Sequence, residues 1–169
     1  MKSNQYVKPM SNKTQSAEAD GLVAQIPLYT TRLVHQAHLE FSSRTTFSST
    51  PEVGDFLMAY FRDRDREEFV VCLLDSAGAL IGISSVSVGG LSSSIVEVPY
   101  VFRVAILANA AAIIVAHNHV SGIPEPSPDD ISTTQQLVEA GKIMGVPVLD
   151  HLIITDTGYT SLAQNGLIE

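Results

Sequence analysis

The chain has 169 residues, 45% of them hydrophobic, which is enough for one domain whose core needs no disulfide. Ten Lys and Arg against eighteen Asp and Glu give a formal net charge of -8. This charge disfavours loose binding to nucleic-acid phosphates. A single cysteine, Cys72, excludes an internal disulfide framework and a multi-cysteine zinc cluster.

The N-terminal region has weak structural signals. Residues 1–25 are rich in polar side chains without hydrophobic periodicity, so we expect a disordered tail followed by one domain over residues 26–169. No stretch has the features of a secretory signal or the length of a membrane span, and we expect a cytoplasmic protein. Residues 26–47 suit an edge strand or a ribbon, and His35 and His38 within them are expected at the surface.

A helix and a hairpin are predicted next. The sequence Ser49-Thr50-Pro51 is typical of a helix start, and apolar residues at helical spacing continue it to about Arg64. Residues 69–74 and 79–88 predict two strands joined by a turn at 75–78. Cys72 lies within the first of these strands, where core packing is its expected role.

The following region predicts a central strand. A short strand is expected over residues 95–98, and Pro99 begins a helix that continues to Ala108. Residues 111–116 are apolar throughout, as in a strand covered on both faces.

Ser127 and Pro128 mark the start of a long helix that should continue to about Met144. Its expected inward residues are Ile131, Leu137, Ala140 and Ile143. A buried strand over 148–155, then a short strand and a short helix, complete the chain. This alternation predicts an α/β domain of three layers, a mixed β-sheet flanked by helices.

Two histidines and an aspartate form the most informative pattern. His117 and His119 follow the apolar strand and, two positions apart, project to the same face. Asp130 lies in the first turn of the next helix, after a loop stiffened by Pro124 and Pro126. Two imidazoles and one carboxylate leave a fourth tetrahedral position open for water, as in a catalytic zinc site. The pattern therefore predicts a metallohydrolase.

Simpler explanations exist for several of these residues. Ser127 suits a helix N-cap whatever the function, and Asp129 and Asp130 could serve only the helix dipole. His151 is either a partner of a metal ligand or a structural histidine at a strand end. It is the combination that favours a metal site.

The spacing His-x-His, seven residues, Ser, two residues, Asp resembles the motif of the JAMM (JAB/MPN) metalloproteases, and residues 117–130 resemble its RadC branch. The similarity extends over about residues 48–160 and implies a JAB/MPN (cytidine-deaminase-like) domain. The chain differs from the RadC pattern at Val120, where Pro is usual, at Gly90, where Thr is usual, and at Tyr100-Val101, where Arg-Glu is usual. Because the chain is too short for an N-terminal helix-hairpin-helix region, we expect the stand-alone form.

The resemblance implies a Zn²⁺ ion held by His117, His119 and Asp130, with an upstream glutamate acting on the metal-bound water. Glu67 is the matching glutamate, although the residues alone leave Glu68 equally open. Ser127 matches the motif serine, which implies a hydroxyl that stabilises an oxyanion.

The implied activity is zinc-dependent hydrolysis of amide or isopeptide bonds in a peptide or protein substrate. Two alternatives come from other classes: a RadC-like DNA-repair or mobile-element-associated protein, and a non-catalytic MPN scaffold. The acidic charge counts against nucleic acid as a partner, and the complete ligand set counts against a scaffold.

Overall fold

The computed structural model of the protein describes residues 46–89 and 96–168, together with Thr30 and Val34. The chain divides into two units, Met1–Thr31 and Arg32–Glu169, and the fold below is that of the second unit. The expectations for the tail, for most of the segment 26–45 and for its two histidines lie outside the described residues. So does the departure at Gly90.

Helices and strands alternate along the described part of the chain. The helices are α1 (Thr50–Phe61), α2 (Val98–Leu107) and α3 (Pro128–Met144). The strands are β1 (Glu68–Leu74), β2 (Leu80–Val88), β3 (Ala112–Asn118), β4 (Val148–Thr155) and β5 (Gly158–Ser161). None of these helices is both long enough and apolar enough to cross a membrane.

The strands form one mixed sheet in the order β2-β1-β3-β4-β5. β3 and β4 are parallel, and every other neighbouring pair is antiparallel. β1 and β2 form the predicted hairpin, whose turn is closed by the Asp75 carboxylate accepting from the N–H groups of Ala77 and Ala79. β3 lies at the centre of the sheet, which explains why its residues are apolar on both faces.

Helices cover both faces of the sheet, so the predicted three-layer architecture is confirmed. Along β1, Phe69, Val71 and Leu73 pack in a core with α2 and α3. The alternate residues Val70, Cys72 and Leu74 pack in a second core with α1. Cys72 is fully buried there, and burial raises the pKa of its thiol to about 12, so core packing is its role.

Three predicted element boundaries were wrong. α1 ends at Phe61 rather than near Arg64, because Arg62 has extended backbone angles and Asp63 has a positive φ of 63°. Val98 is the first residue of α2 and not part of a strand, since Pro99 favours the first turn of a helix. Residues 162–166 form turns where a final helix was predicted.

α3 begins and ends where the sequence predicts, but its buried face is narrower. Gly145 ends the helix with a positive φ of 70°, a conformation that glycine adopts without strain. The buried residues of α3 are Asp130, Thr134, Leu137 and Gly141. Ile143 was predicted to face inward and is instead 85% exposed, because it lies two positions beyond Gly141, on the opposite side of the helix.

Gly141 is a test of this packing. A Cβ at this position would lie 2.7 Å from the carbonyl oxygen of Val146, in the turn between α3 and β4. Helix propensity alone predicts that Gly141→Ala raises the free energy of unfolding by about 1 kcal/mol. We expect the opposite, a loss of about 1–3 kcal/mol in urea titrations, because the backbone of the turn must move.

Gly158→Ala is the matched control, since a Cβ at Gly158 would meet no atom within 4 Å. Its effect should stay within about 0.5 kcal/mol. Stabilisation by Gly141→Ala would contradict the packing described here.

Candidate metal centre

The two histidines of the motif lie at the C-terminal end of the central strand. β3 extends two residues beyond the apolar run and includes His117, which faces α2 and α3 together with Ile113 and Val115. His119 follows the strand directly, and its N–H donates to the carbonyl of Ile154 at 2.8 Å. The backbone of His119 is therefore fixed against β4.

Asp130 is held by the cap of α3. Its carboxylate oxygen Oδ2 accepts from the N–H of Ser127 at 2.8 Å and from the Ser127 hydroxyl at 2.6 Å. The Ser127 hydroxyl oxygen accepts in turn from the N–H of Asp130 at 3.1 Å, which completes a capping box. Asp130 is only 3% exposed, whereas Asp129 beside it is exposed. The N-cap interpretation of Ser127 is thus confirmed.

The structure brings the three predicted ligands together. His117 Nε2 lies 3.1 Å from Asp130 Oδ1, and His119 Nε2 lies 3.6 Å from Asp130 Oδ2. The two Nε2 atoms are 2.9 Å apart. Ligand atoms about a tetrahedral zinc ion, with bonds near 2.0–2.1 Å, are separated by roughly 3.3 Å. The three side chains are therefore close enough to bind one metal ion.

The protonation state of His119 suits a ligand. Its Nδ1 lies 2.7 Å from the carbonyl oxygen of Ile123, and a carbonyl can only accept a hydrogen bond. The proton of a neutral His119 is therefore on Nδ1, and Nε2 presents a lone pair to the site.

Asp130 is ionised in this environment. Burial acts to raise the pKa of its carboxyl group, but the close contact with the His117 ring and the hydrogen bonds from Ser127 outweigh burial. Together they hold the pKa well below its ordinary value. Asp130 therefore supplies the anionic oxygen that a divalent cation requires.

A buried set of hydrogen bonds lies behind His117. His117 Nδ1 is 2.8 Å from His151 Nε2, and His151 Nδ1 is 2.6 Å from the Thr134 hydroxyl. Burial lowers the pKa of His151 well below its ordinary value. Sequence reasoning left His151 undecided and assigned nothing to Thr134. The structure places both beside a metal ligand.

Glu68 lies on the opposite face of the sheet from the metal ligands. It is 7% exposed, its Oε1 accepts from the Tyr60 hydroxyl at 3.3 Å, and its Oε2 lies 3.7 Å from Arg64 Nε. Tyr60 is on α1 and Arg64 is the third residue after this helix, whereas His117 faces α2 and α3.

Glu67 precedes β1 and continues its ladder, because its carbonyl accepts from the N–H of Gly89 at 2.8 Å. In the antiparallel pairing of β1 and β3, Phe69 is opposite His117. Continued by two residues, this register sets Glu67 opposite His119. Alternation along the strand assigns Glu67 to the face of Phe69, which is the face of His117.

Asn118, for which no role was predicted, holds this segment in place through its side-chain amide. Its Oδ1 accepts from the N–H of Glu68 at 2.8 Å, and its Nδ2 donates to the carbonyl of Arg66 at 2.9 Å. The Asn118 side chain therefore fixes the backbone on both sides of Glu67.

A cavity of about 150 Å³ lies beside His119, on the α1 side of the sheet. It lies between the end of α1, the turn after β4, and the residues His119 and Val120, with Arg62 and Arg64 on its wall. Val120 is 53% exposed at the mouth of this cavity. The departure from Pro at this position thus concerns the surface beside the site.

The described fold and metal ligands agree with a family comparison. The family model of the RadC-like JAB domain matches residues 47–167. The chain belongs to this family. The RadC-like JAB domain thus contains every residue of the centre described above, including Glu67 and His151.

Similar proteins carry the same domain within longer chains. This RadC-like JAB domain protein is 54% identical over 118 residues to a UPF0758 protein of Salinibacter ruber, covering 70% of this chain and 51% of that relative. It is 49% identical over 116 residues to a UPF0758 protein of Syntrophomonas wolfei, covering 69% of this chain and 49% of that relative. A UPF0758 protein of Moorella thermoacetica is 47% identical over 126 residues, which cover 75% of this chain and 55% of that relative. The chain spans about half the length of these relatives.

The lowered pKa of Asp130 predicts a pH dependence of stability. A carboxylate whose pKa is lower in the folded than in the unfolded state stabilises the protein above the unfolded pKa, about 3.9 for Asp, and loses that contribution as the pH falls. Below about pH 4 we expect metal-free wild type to lose stability relative to Asp130→Asn. Urea titrations in chelator over a pH series measure this difference.

Asp129→Asn is the matched control, because its carboxylate is exposed in the same helical turn. Wild type and this control should differ far less in their acid dependence. Parallel acid profiles for wild type and Asp130→Asn would show that Asp130 is not in the paired environment described here.

Proposed function

We propose that this protein is a zinc-dependent hydrolase of the JAMM type that cleaves amide or isopeptide bonds in a peptide or protein substrate. The observation that carries the proposal is the convergence of two imidazole nitrogens and one buried carboxylate within 4.8 Å of one another. Three protein ligands leave one position of a tetrahedral ion for a reactant, which is the arrangement of catalytic sites.

His117, His119 and Asp130 would hold the ion through Nε2, Nε2 and the carboxylate. A bound zinc ion supplies Lewis acidity and makes a water nucleophile available at neutral pH. The His119 side chain is 11% exposed, whereas those of His117 and Asp130 are 1% and 4% exposed. Substrate would therefore approach from the side of His119, the most exposed of the three ligands.

Glu67 is the proposed general base. Its position opposite His119 in the extended register, and the bracing of its backbone by Asn118, support this role over Glu68. Glu67 accepts a proton from the attacking water and delivers it to the leaving nitrogen as the carbon–nitrogen bond breaks. Glu68 has its carboxylate occupied by Tyr60 and Arg64 on the other face.

Ser127 is proposed to donate a hydrogen bond to the oxyanion of the tetrahedral intermediate. Its hydroxyl has one proton, which points to Asp130 Oδ2 in this structure. The oxyanion must therefore compete with Asp130 for that proton, so Ser127 contributes to catalysis only when the substrate is bound.

The DNA-repair alternative draws no comparable support. The net charge is -8, which opposes attraction to phosphates. Arg64 lies 3.7 Å from the Glu68 carboxylate, which offsets part of its positive charge.

Metal content is the first test of the proposal. Wild type purified without chelator should contain about one zinc ion per chain by elemental analysis, and His119→Ala should lose it, because two ligands leave the site incomplete. Activity of wild type should be lost in chelator and restored by zinc. Stoichiometric zinc retained in His119→Ala would contradict the assigned site.

The two adjacent glutamates provide the second test. On a library of quenched fluorescent peptides and isopeptides, Glu67→Gln should lower kcat by about 10²–10⁴-fold while zinc content is unchanged, because the general base is lost. Glu68→Gln is the matched control and should retain activity and zinc. The reverse result would assign the base to Glu68.

A further inference from the structure

We propose that Thr134 and His151 are positioning residues that keep the proton of His117 on Nδ1, so that Nε2 presents its lone pair to the metal. Neither residue would contact the ion. The inference rests on the proposed metal site and concerns how its affinity is set.

The direction of the hydrogen bonds follows from one carbonyl. The Thr134 hydroxyl donates to the backbone carbonyl of Asp130 at 2.6 Å, and that carbonyl has no proton to give. The hydroxyl has used its one proton, so toward His151 Nδ1 it can only accept. A neutral His151 therefore carries its proton on Nδ1 and a lone pair on Nε2.

The position of the proton on the metal ligand follows in the same way. Because His151 Nε2 has a lone pair, the contact of 2.8 Å to His117 Nδ1 requires the proton to be on the His117 nitrogen. A neutral imidazole with a proton on Nδ1 has its lone pair on Nε2. In His117 this is the atom that lies 3.1 Å from Asp130.

Packing prevents the rings from avoiding this arrangement. His117 and His151 are 1% and 0% exposed, so water cannot replace the hydrogen bonds between them. The ring of Phe69 stacks on His117 with 5.9 Å between centroids and packs edge-on against His151 at 5.4 Å. A 180° flip of the His117 ring would put carbon atoms where Nδ1 and Nε2 now lie and would break the contacts to His151 and Asp130.

The contacts among Asp130, His117, His151 and Thr134 form a closed ring. Asp130 contacts His117 through its carboxylate and Thr134 through its carbonyl, and His151 joins the other two. Thr134 is one turn after Asp130 in α3, whereas His117 and His151 are on the parallel strands β3 and β4. The helix cap and the two central strands thus fix the same imidazole.

Thr134→Val removes the hydroxyl with little change in shape. His151 Nδ1 would then lack an acceptor, so a proton on His151 Nε2 and a lone pair on His117 Nδ1 become favourable. The proton of His117 would move to Nε2, inside the metal site, where a cation has to displace it. Groups that orient a metal-bound histidine typically change metal affinity by about 10–100-fold.

The experiment measures zinc affinity and the His117 tautomer separately. Competition of the full chain with a chromophoric chelator gives the Kd for zinc, which should rise about 10–100-fold in Thr134→Val. Thr134→Ser keeps the hydroxyl and should restore wild-type affinity. Thr133→Val is the matched control for losing a threonine hydroxyl from the same turn, and should bind zinc as wild type does. Circular dichroism verifies that each variant is folded.

Long-range ¹H–¹⁵N spectra of the metal-free protein report the tautomer without zinc or activity. Wild-type His117 should be protonated on Nδ1, and Thr134→Val should lose the proton from this nitrogen. A wild-type His117 with an unprotonated Nδ1 would overturn the inference even if the valine variant did not fold.

The two proposals fail differently. If wild type binds zinc tightly and Thr134→Val binds it equally well, the positioning role is wrong and the metal site stands. If wild type binds no zinc, the proposed function is wrong and the affinity claim fails with it, while the spectra still show whether Thr134 orients His117.

Discussion

Lone pairs of His117 Nε2, His119 Nε2 and the Asp130 carboxylate converge in a largely buried site. This constraint organises the centre of the domain. His117 Nε2 and His119 Nε2 are 2.9 Å apart, and each of their other nitrogens is engaged with a partner behind it. Two lone pairs at this separation repel each other unless a proton or a metal ion lies between them, and the Asp130 carboxylate adds negative charge. A buried arrangement of this kind is stabilised by a proton or a metal ion between the three groups.

The same atoms that would bind the cation also build the fold. The Asp130 carboxylate closes the capping box of α3 and faces both histidines. The same side chain therefore positions the start of the helix and one ligand of the site. The partial positive charge of a helix N-terminus favours the ionised form of this carboxylate. Loss of Asp130 should therefore affect both helix stability and metal binding. Asp130→Asn keeps the shape of the side chain and removes its charge, so it separates these two effects better than Asp130→Ala, which removes both.

Local signals explain what the sequence could predict. Ser127 and Pro128 are a cap and a first-turn proline, and the apolar run before His117 has the pattern of a central strand, so α3, β3 and the ligand pattern were accessible. Ile143 was misplaced because the pattern of α3 fits a broad buried face, whereas the residues that it buries form a narrow row. The predicted strand near Val98 failed because a β-branched run resembles a strand until its proline is considered.

Contacts between distant residues explain what the sequence could not predict. Glu67 and Glu68 are adjacent and chemically identical, and only the pairing of β1 with β3 assigns them to different faces. His151 meets His117 across 34 residues, and Thr134 meets His151 across 17. Such contacts arise only when the parallel strands and α3 are packed together.

The most direct measurement of the central claim is zinc K-edge X-ray absorption of the metal-loaded protein, which reports the atoms around the ion. The account predicts two imidazole nitrogens and oxygen ligands at about 2.0–2.1 Å, without sulfur, in a four-coordinate site. A sulfur ligand, or a shell of oxygens without imidazole, would contradict it.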